Sequence, residues 1–491
     1  MKRIMLSVQV VGMIGMLGVL GGCGGSEAPS VSASASGSGS GSASTSGTIT
    51  GFGSVFVNGK KYEANNVTVR MDDESEQSCS INPSNSCGLK KGMIVTVNGS
   101  FTGIRHTAST VTQKDAVEGL VQSIAADGLS LVVMGQTVLV DGTTIIDDNI
   151  PGRTIVNLVA GSDYVEVNGH IRPNGVIHAT FIEKKPVGTV TPEVRGYVTD
   201  HNHITKTFKI GSLVVNYATA VINDMPAPTG TNWNDLLVEA KGNIFDTATV
   251  TLTATEVEPE QRGVGNHVDE FEVEGFVTQV LGSGDFFIGQ THVQTTSSTE
   301  FRGGTIDEIV VGAKLSAEGR LVNDILTAKH VKFHESVRLE GDIETIGPNS
   351  FTIKGLPGIT VTVNSQTDYK ANGGTTVNTL NDLGVNDHVR VRGRIAGTNS
   401  VVATRVQLRS ADDDIDLQGP VQALSDPHLT ILGLTVDTTS MSDNEFKGID
   451  EGAIGRAAFF NTVKVGAIVK LEGRLNGGVV TWREAELEDE N

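Results

Sequence analysis

One phrase, apolar and polar residues alternating up to a glycine, is written six times along this chain: VTVNGSF, VEVNGHI, VEAKGNI, LSAEGRL, VRVRGRI and VKLEGRL. Its glycines are Gly99, Gly169, Gly242, Gly319, Gly393 and Gly473, spaced 70, 73, 77, 74 and 80 residues apart. A second phrase precedes it from the second copy onward: VEGLVQSI, VRGYVTDH, VEGFVTQV, LEGDIETI and LQGPVQAL, carrying Gly119, Gly196, Gly275, Gly341 and Gly419. In the first copy TITGFGSVFVNG fills that slot. Two interleaved signatures on one period mean internal duplication, and a period this long makes each copy a small domain rather than a solenoid turn.

Within a copy, LEGDIETI, NSFTIKG and ITVTVNS are short β-branched runs separated by Gly, Asn or Pro, and they read as three strands. A variable stretch follows, whose LNDL can form a short helical turn. The fourth strand is the recurring phrase, and VVATRVQL or ILTAKHVKF supplies the fifth. Five strands with a variable element between the third and fourth is the order of an OB-type barrel. Val389 and Val391 then face the core while Arg390 and Arg392 face out. Gly393 falls where a small barrel must coil sharply, a place for a bulge or a close backbone approach. The expected fold is all-β: about six tandem five-stranded OB-like barrels in a row, each with its own modest core, joined by short linkers that permit limited bending. The alternative is neighbouring repeats merged into open sandwiches. The boundaries run 47–115, 116–190, 191–265, 266–335, 336–411 and 412–491.

Upstream, residues 1–22 have a basic start at Lys2 and Arg3 and an apolar run from Ile4 to Leu20, the layout of a secretory signal. Leu20-Gly21-Gly22-Cys23 resembles the bacterial lipobox, which implies lipidation of Cys23; the alternative is an ordinary cleavable signal with an incidental cysteine. From Cys23 to Ser46 the chain is mostly Ser, Gly and Ala and reads as a flexible tether. The paired phrases, the lipobox and the tether together resemble a family of bacterial envelope lipoproteins built from a repeated small β-barrel module that is known only as a domain of unknown function. The resemblance spans about Gly47 to Glu488 and implies fold and address. It supplies no catalytic residues, and the third copy, with NWNDLLVEAKG, departs from it most. The glycine after Cys23 implies the outer membrane by similarity to lipoprotein-sorting patterns.

The net charge of −20 makes nucleic acid a poor partner, since an acidic body repels phosphate backbones. Besides Cys23 the only cysteines are Cys79 and Cys87, in CSINPSNSC, and in an exported chain they are expected to form a disulfide. Two thiols fall short of a structural zinc set. His201 and His203 in HNH could offer half a metal site but sit near a hairpin turn. His330 and His334 fall on the fifth strand, where their spacing favours an exposed edge. Asp412, Asp413, Asp414 and Asp416 could hold calcium weakly, yet the EF-hand spacing is missing and a solvated junction is the default. The same holds for Asp72 to Glu76. Trp233 and Trp482 occupy non-equivalent positions and are expected in cores. No nucleophile or phosphate-cradling motif emerges, so no cofactor, metal or catalytic residue is expected.

The expected function is therefore noncatalytic: a lipid-anchored envelope protein that scaffolds, spaces or binds proteins. The rival is an envelope glycan-binding or glycan-processing protein using loops such as the long insertion at Ser440–Asn461 in the last copy, which otherwise reads as a plain surface excursion.

Overall fold

The computed structural model describes residues 39–72, 76–260, 263–371, 376–448 and 451–488. The signal, Cys23 and the tether up to Ser38 lie outside the described residues.

Strands dominate, as the alternation demands. In the second copy they are Val117–Ile124, Ser130–Val133, Gln136–Leu139, Tyr164–Ile171 and Ile177–Lys185. The first pairs antiparallel with the second, the second with the third, the third parallel with the fifth, the fifth with the fourth, and the fourth with the first. That circuit is a closed five-stranded barrel of OB order. The fifth copy repeats it with Val337–Ile346, Ser350–Ile353, Thr360–Thr362, His388–Gly397 and Ser400–Leu408. In the last copy Phe446–Lys447, not the third strand Leu434–Asp437, lies beside the fifth strand Val479–Glu488. LNDL forms the 3-10 turn Leu380–Asp382, closed by a reciprocal Thr379–Asp382 capping box.

The recurring glycine has one cause in every copy. The pairing of the fourth and fifth strands slips at Gly99, Gly169, Gly242, Gly319, Gly393 and Gly473. A Cβ there would lie 1.9 Å from the carbonyl oxygen of Thr107 at Gly99, 2.0 Å from that of Thr327 at Gly319 and 2.4 Å from that of Val402 at Gly393. The fifth strand's backbone crosses so close that only glycine fits. The glycine of the second phrase makes room instead for the last side chain of the second strand: a Cβ at Gly196 would lie 2.2 Å from Ile210, and one at Gly341 2.7 Å from Ile353.

The arrangement of the copies differs from a row of separate barrels. First strands pair with first strands. Val117–Ile124 pairs antiparallel with Glu193–Asn202 of the third copy, and Val337–Ile346 with Asp414–Ser425 of the sixth. The first copy skips two neighbours, and its strand Ser40–Phe52 pairs in parallel with His267–Gly282 of the fourth. Cores merge accordingly: one apolar cluster runs through the second and third copies, another through the fifth and sixth. Pairing brings apolar residues such as Leu339 and Leu417 opposite each other, so burying them together removes more surface from water than six separate cores would. Copies far apart in the chain also meet tightly. Gly142 of the second packs on Ala467 of the sixth, where a Cβ would come within 2.0 Å. Residues 39–491 form one compact unit.

Two further expectations are corrected. The tether does not reach Ser46: Ser40–Ser46 is strand, hydrogen-bonded to Ile94–Thr102 on one side, with Ala43–Ser46 paired to His267–Gly282 on the other. Main-chain groups make those bonds, so a Ser/Gly run can be a strand when partners exist on both sides. The Ser440–Asn461 insertion is not a surface excursion. Its helix Arg456–Thr462 and strand Phe446–Lys447 place Phe446 and Phe459 in the core at 0% exposure, with Met441 nearly as buried.

Candidate functional site

Most residues singled out in the sequence have structural work. Cys79 and Cys87 are disulfide-bonded, with Cα atoms 6.5 Å apart. His201 stacks on the buried Trp233 ring at 4.4 Å; its Nδ1 accepts from the Trp233 backbone N–H at 3.2 Å and its Nε2 lies 2.9 Å from the Tyr217 hydroxyl. Both ring nitrogens are thus engaged within the protein, which leaves neither for a metal; burial, then His203, lowers its pKa. His330 is not on an exposed edge: its strand Ile325–Phe333 is paired on both sides, and its ring stands 3.1 Å from Glu300. Trp233 is fully buried, and Trp482 packs half-buried against the last core. Of the acidic stretch at 72–76, Asp73 to Ser75 lie outside the described residues.

Charge gathers where the copies meet. Arg195, on the first strand of the third copy, is 5% exposed among carboxylates of the first and third copies. It pairs with Asp72 of the first, with Glu193 at 2.9 Å, Glu260 at 3.0 Å and Glu239 at 3.2 Å of its own, and with Asp115 of the 1–2 connection at 3.5 Å. Lys241 adds contacts to Asp72 at 3.0 Å and Glu193 at 2.8 Å. Against the burial that would raise it, Arg195 and Lys241 hold Asp72 well below the usual carboxylate range. Burial, together with the neighbouring carboxylates, pushes Asp115 and Glu193 well above it, Glu193 in spite of Arg195 and Lys241. At the seam of the first and fourth copies Lys60 meets Glu270 at 2.6 Å, Glu318 at 3.1 Å and Glu272 at 3.4 Å.

Burial raises Glu272 to about 7 despite Lys60, whereas His106 and Lys60 overcome burial to hold Glu270 at about 2. The signs differ. A raised carboxyl favours the folded state fully below its unfolded value near 4.5, and that contribution is lost as pH rises through about 7. Glu270 contributes above its unfolded value and loses this only as pH falls towards 2. Asp416, raised to about 6, acts in the same sense as Glu272. Thermal melts should therefore show a higher Tm at pH 5 than at pH 8, and Glu272→Gln should remove on the order of 2 kcal/mol of that difference. An unchanged profile in the variant would refute the assignment.

From the second copy onward the residue before the second phrase's glycine lies on the first strand, at Glu118, Arg195, Glu274, Glu340 and Gln418. In register it faces Glu166, Glu239, Ser316, Arg390 and Lys470. Its variability among otherwise constant phrases was the available signal for these networks.

Between the fifth and sixth copies lies a cleft of about 510 Å³ lined by arginines and carboxylates, among them Arg338, Arg409, Arg483, Glu340, Asp414 and Glu472. The phrase that opens the repeat builds one wall. Arg390 Nε donates to Glu340 at 2.5 Å, while Arg338 reaches Asp416 of the sixth copy at 2.7 Å. His388, 3% exposed, also lines it; its Nδ1 is 3.1 Å from Asp342, and its Nε2, 3.7 Å from Glu340, makes no hydrogen bond. Although burial opposes it, His388, Arg390 and Arg338 hold Glu340 at about 2. Burial, with Glu340 and Glu472 nearby, raises Asp416 in spite of Arg338. Asp412, Asp413 and Asp414 cluster at the rim, where Arg474 already lies 3.2 Å from Asp414. The cleft offers planar hydrogen-bonding groups of both signs at fixed positions. Among the described residues that line it there is no cysteine, serine or lysine poised as a nucleophile beside a base, Ser410 having no such partner.

No curated protein matches the chain. A family model described as "Domain of unknown function (DUF5666)" matches residues 118–183, 274–332, 340–407 and 418–482, together just over half of the chain. Those windows fall on the second, fourth, fifth and sixth copies; residues 40–113 and 193–259 lie outside them yet carry strands in the same order. With its domain found four times over, the chain belongs to the DUF5666 family.

Proposed function

We propose that this chain is a noncatalytic, lipid-anchored scaffold of the bacterial cell envelope, tethered at the outer membrane through Cys23 and presenting one firm body to envelope proteins. The observation that carries this reading is the fusion of barrels through their first strands, sealed by Arg195 and Lys60 across copies. Such a body suits presentation of a fixed surface better than a bending spacer. The anchor is supported by the lipobox resemblance alone. Fractionating cells that express the wild type and Cys23→Ser tests it. The wild type is expected in the membrane fraction and the variant in the soluble fraction; a wild type that fractionates as soluble overturns the anchor.

A second reading rests on the cleft between the fifth and sixth copies. Its volume lies within the usual 300–1,000 Å³ range of small-ligand sites, and paired arginines and carboxylates suit the hydroxyls of an envelope glycan. Arg483 stands exposed on its wall and, among the described residues, makes no ion pair. Arg483→Ala should leave unaided stability within about 0.5 kcal/mol. It should also abolish any Tm rise that the wild type shows with envelope oligosaccharides. A wild type that responds to no member of the panel removes the glycan reading.

A further inference from the structure

Four glutamates on four adjacent strands stand opposite one another in the sheet shared by the second and third copies. Glu183 faces Glu166, Glu166 faces Glu118, and Glu118 faces Glu193. Like charges directly opposite destabilise a sheet, so such a row calls for cations along its length. At one end Lys185 lies 2.8 Å from Glu166 and 3.2 Å from Glu183, and Lys90 also contacts Glu183. At the other end Lys241 and Arg195 take Glu193. Asp115 then enters beside the middle of the row from the connection between the first and second copies. It is 3% exposed, its Oδ1 makes no hydrogen bond, and its Arg195 contact is a distant 3.5 Å. Buried this far without a hydrogen bond, the oxygen must take up either a proton or a cation.

One carboxylate oxygen each from Asp115, Glu118 and Glu166 lies within 4.8 Å of the others, and two of the three residues are buried. Oxygens sharing one hard divalent cation at about 2.0–2.6 Å can be at most roughly 4.0–5.2 Å apart, so a common ion fits. Three protein carboxylates suit calcium, which takes several, better than magnesium, which keeps most of its waters. Glu166 is already oriented by its neighbours: Oε1 accepts from Asn168 at 3.0 Å and Gln113 at 3.3 Å, and Oε2 from Lys185 at 2.8 Å. Oε2 keeps a second lone pair beside the Lys185 bond, so these contacts hold the carboxylate without closing it to a metal.

We propose that Asp115, Glu118 and Glu166 bind a hard divalent cation of calcium's size, which ties the connection after the first copy to the seam between the second and third. The site differs from the exposed Asp412–Asp414 rim in being buried and in holding an oxygen without a hydrogen bond. The inference is independent of the cleft and of the membrane anchor.

The test is isothermal titration of the full chain, stripped with EDTA, using CaCl2 and then MgCl2, with melts in parallel. The wild type should bind one Ca²⁺ saturably and gain Tm, with a smaller response to Mg²⁺ at equal concentration. Glu118→Gln should lose the Ca²⁺ heat and the shift, while a cooperative melt in EDTA shows that it is folded. Asp115→Asn, the isosteric second variant, should also lose the response, and Asp413→Asn should keep it. A wild type without Ca²⁺ heat or shift, binding that survives both Glu118→Gln and Asp115→Asn, or binding lost in Asp413→Asn would each overturn the proposal.

Discussion

Arg195→Ala should destabilise the body by about 3–5 kcal/mol, read from chemical denaturation at pH 8. Ion pairs buried this deeply add little net stability compared with apolar residues of equal size, but removing one partner strands the other. Here one guanidinium serves Asp72, Asp115, Glu193, Glu239 and Glu260 at once, and Glu193, Glu239 and Asp115 are each at most 3% exposed. Lys241 and Lys114 remain nearby and pair with Glu193, Glu239 and Glu260, so the loss falls short of stranding every carboxylate. The same variant should be less damaging at pH 5, where the stranded carboxylates can take up protons instead. A loss below about 1 kcal/mol at pH 8, or one that does not shrink in acid, would show that the network is not what joins the first and third copies.

Phe459→Ala should cost about 3–5 kcal/mol, the usual range for a fully buried aromatic in a close-packed core. Its ring packs 5.3 Å from that of Phe446, and both stand at 0% exposure although they come from the insertion. Deleting Ser440–Asn461 should accordingly unfold the last barrel and expose the core it shares with the fifth, so that deletion cannot report on ligand binding. Val479→Ala, at a residue 69% exposed in the same barrel, is the matched control and should stay within about 0.5 kcal/mol. Equal melts for Phe459→Ala and the control would mean that the insertion is not part of the core.

What could be read from the chain alone was whatever repeats and acts locally. The period, the five strands, the alternation that buries Val389 and Val391 beneath Arg390 and Arg392, and a glycine demanded by a close backbone crossing all follow from short-range geometry. The Cys79–Cys87 pair was legible for the same reason, eight residues apart in one loop. The strand at Ser40–Ser46 was not: its side chains carry no β signal, and its hydrogen bonds come from partners about 50 and more than 220 residues away. The burial of Phe446 and Phe459 was hidden because an insertion has no counterpart in the other copies to reveal its face. Only the tertiary structure decided that the first barrel joins the fourth and that Asp72, Asp115 and Arg195 share one network. Every copy presents a similar first strand, so the period names the candidates for pairing without choosing among them. At the chosen seams stand charges brought from distant parts of the chain, Arg195 with Asp72 and Lys60 with Glu270, and those meet only when the whole chain has folded.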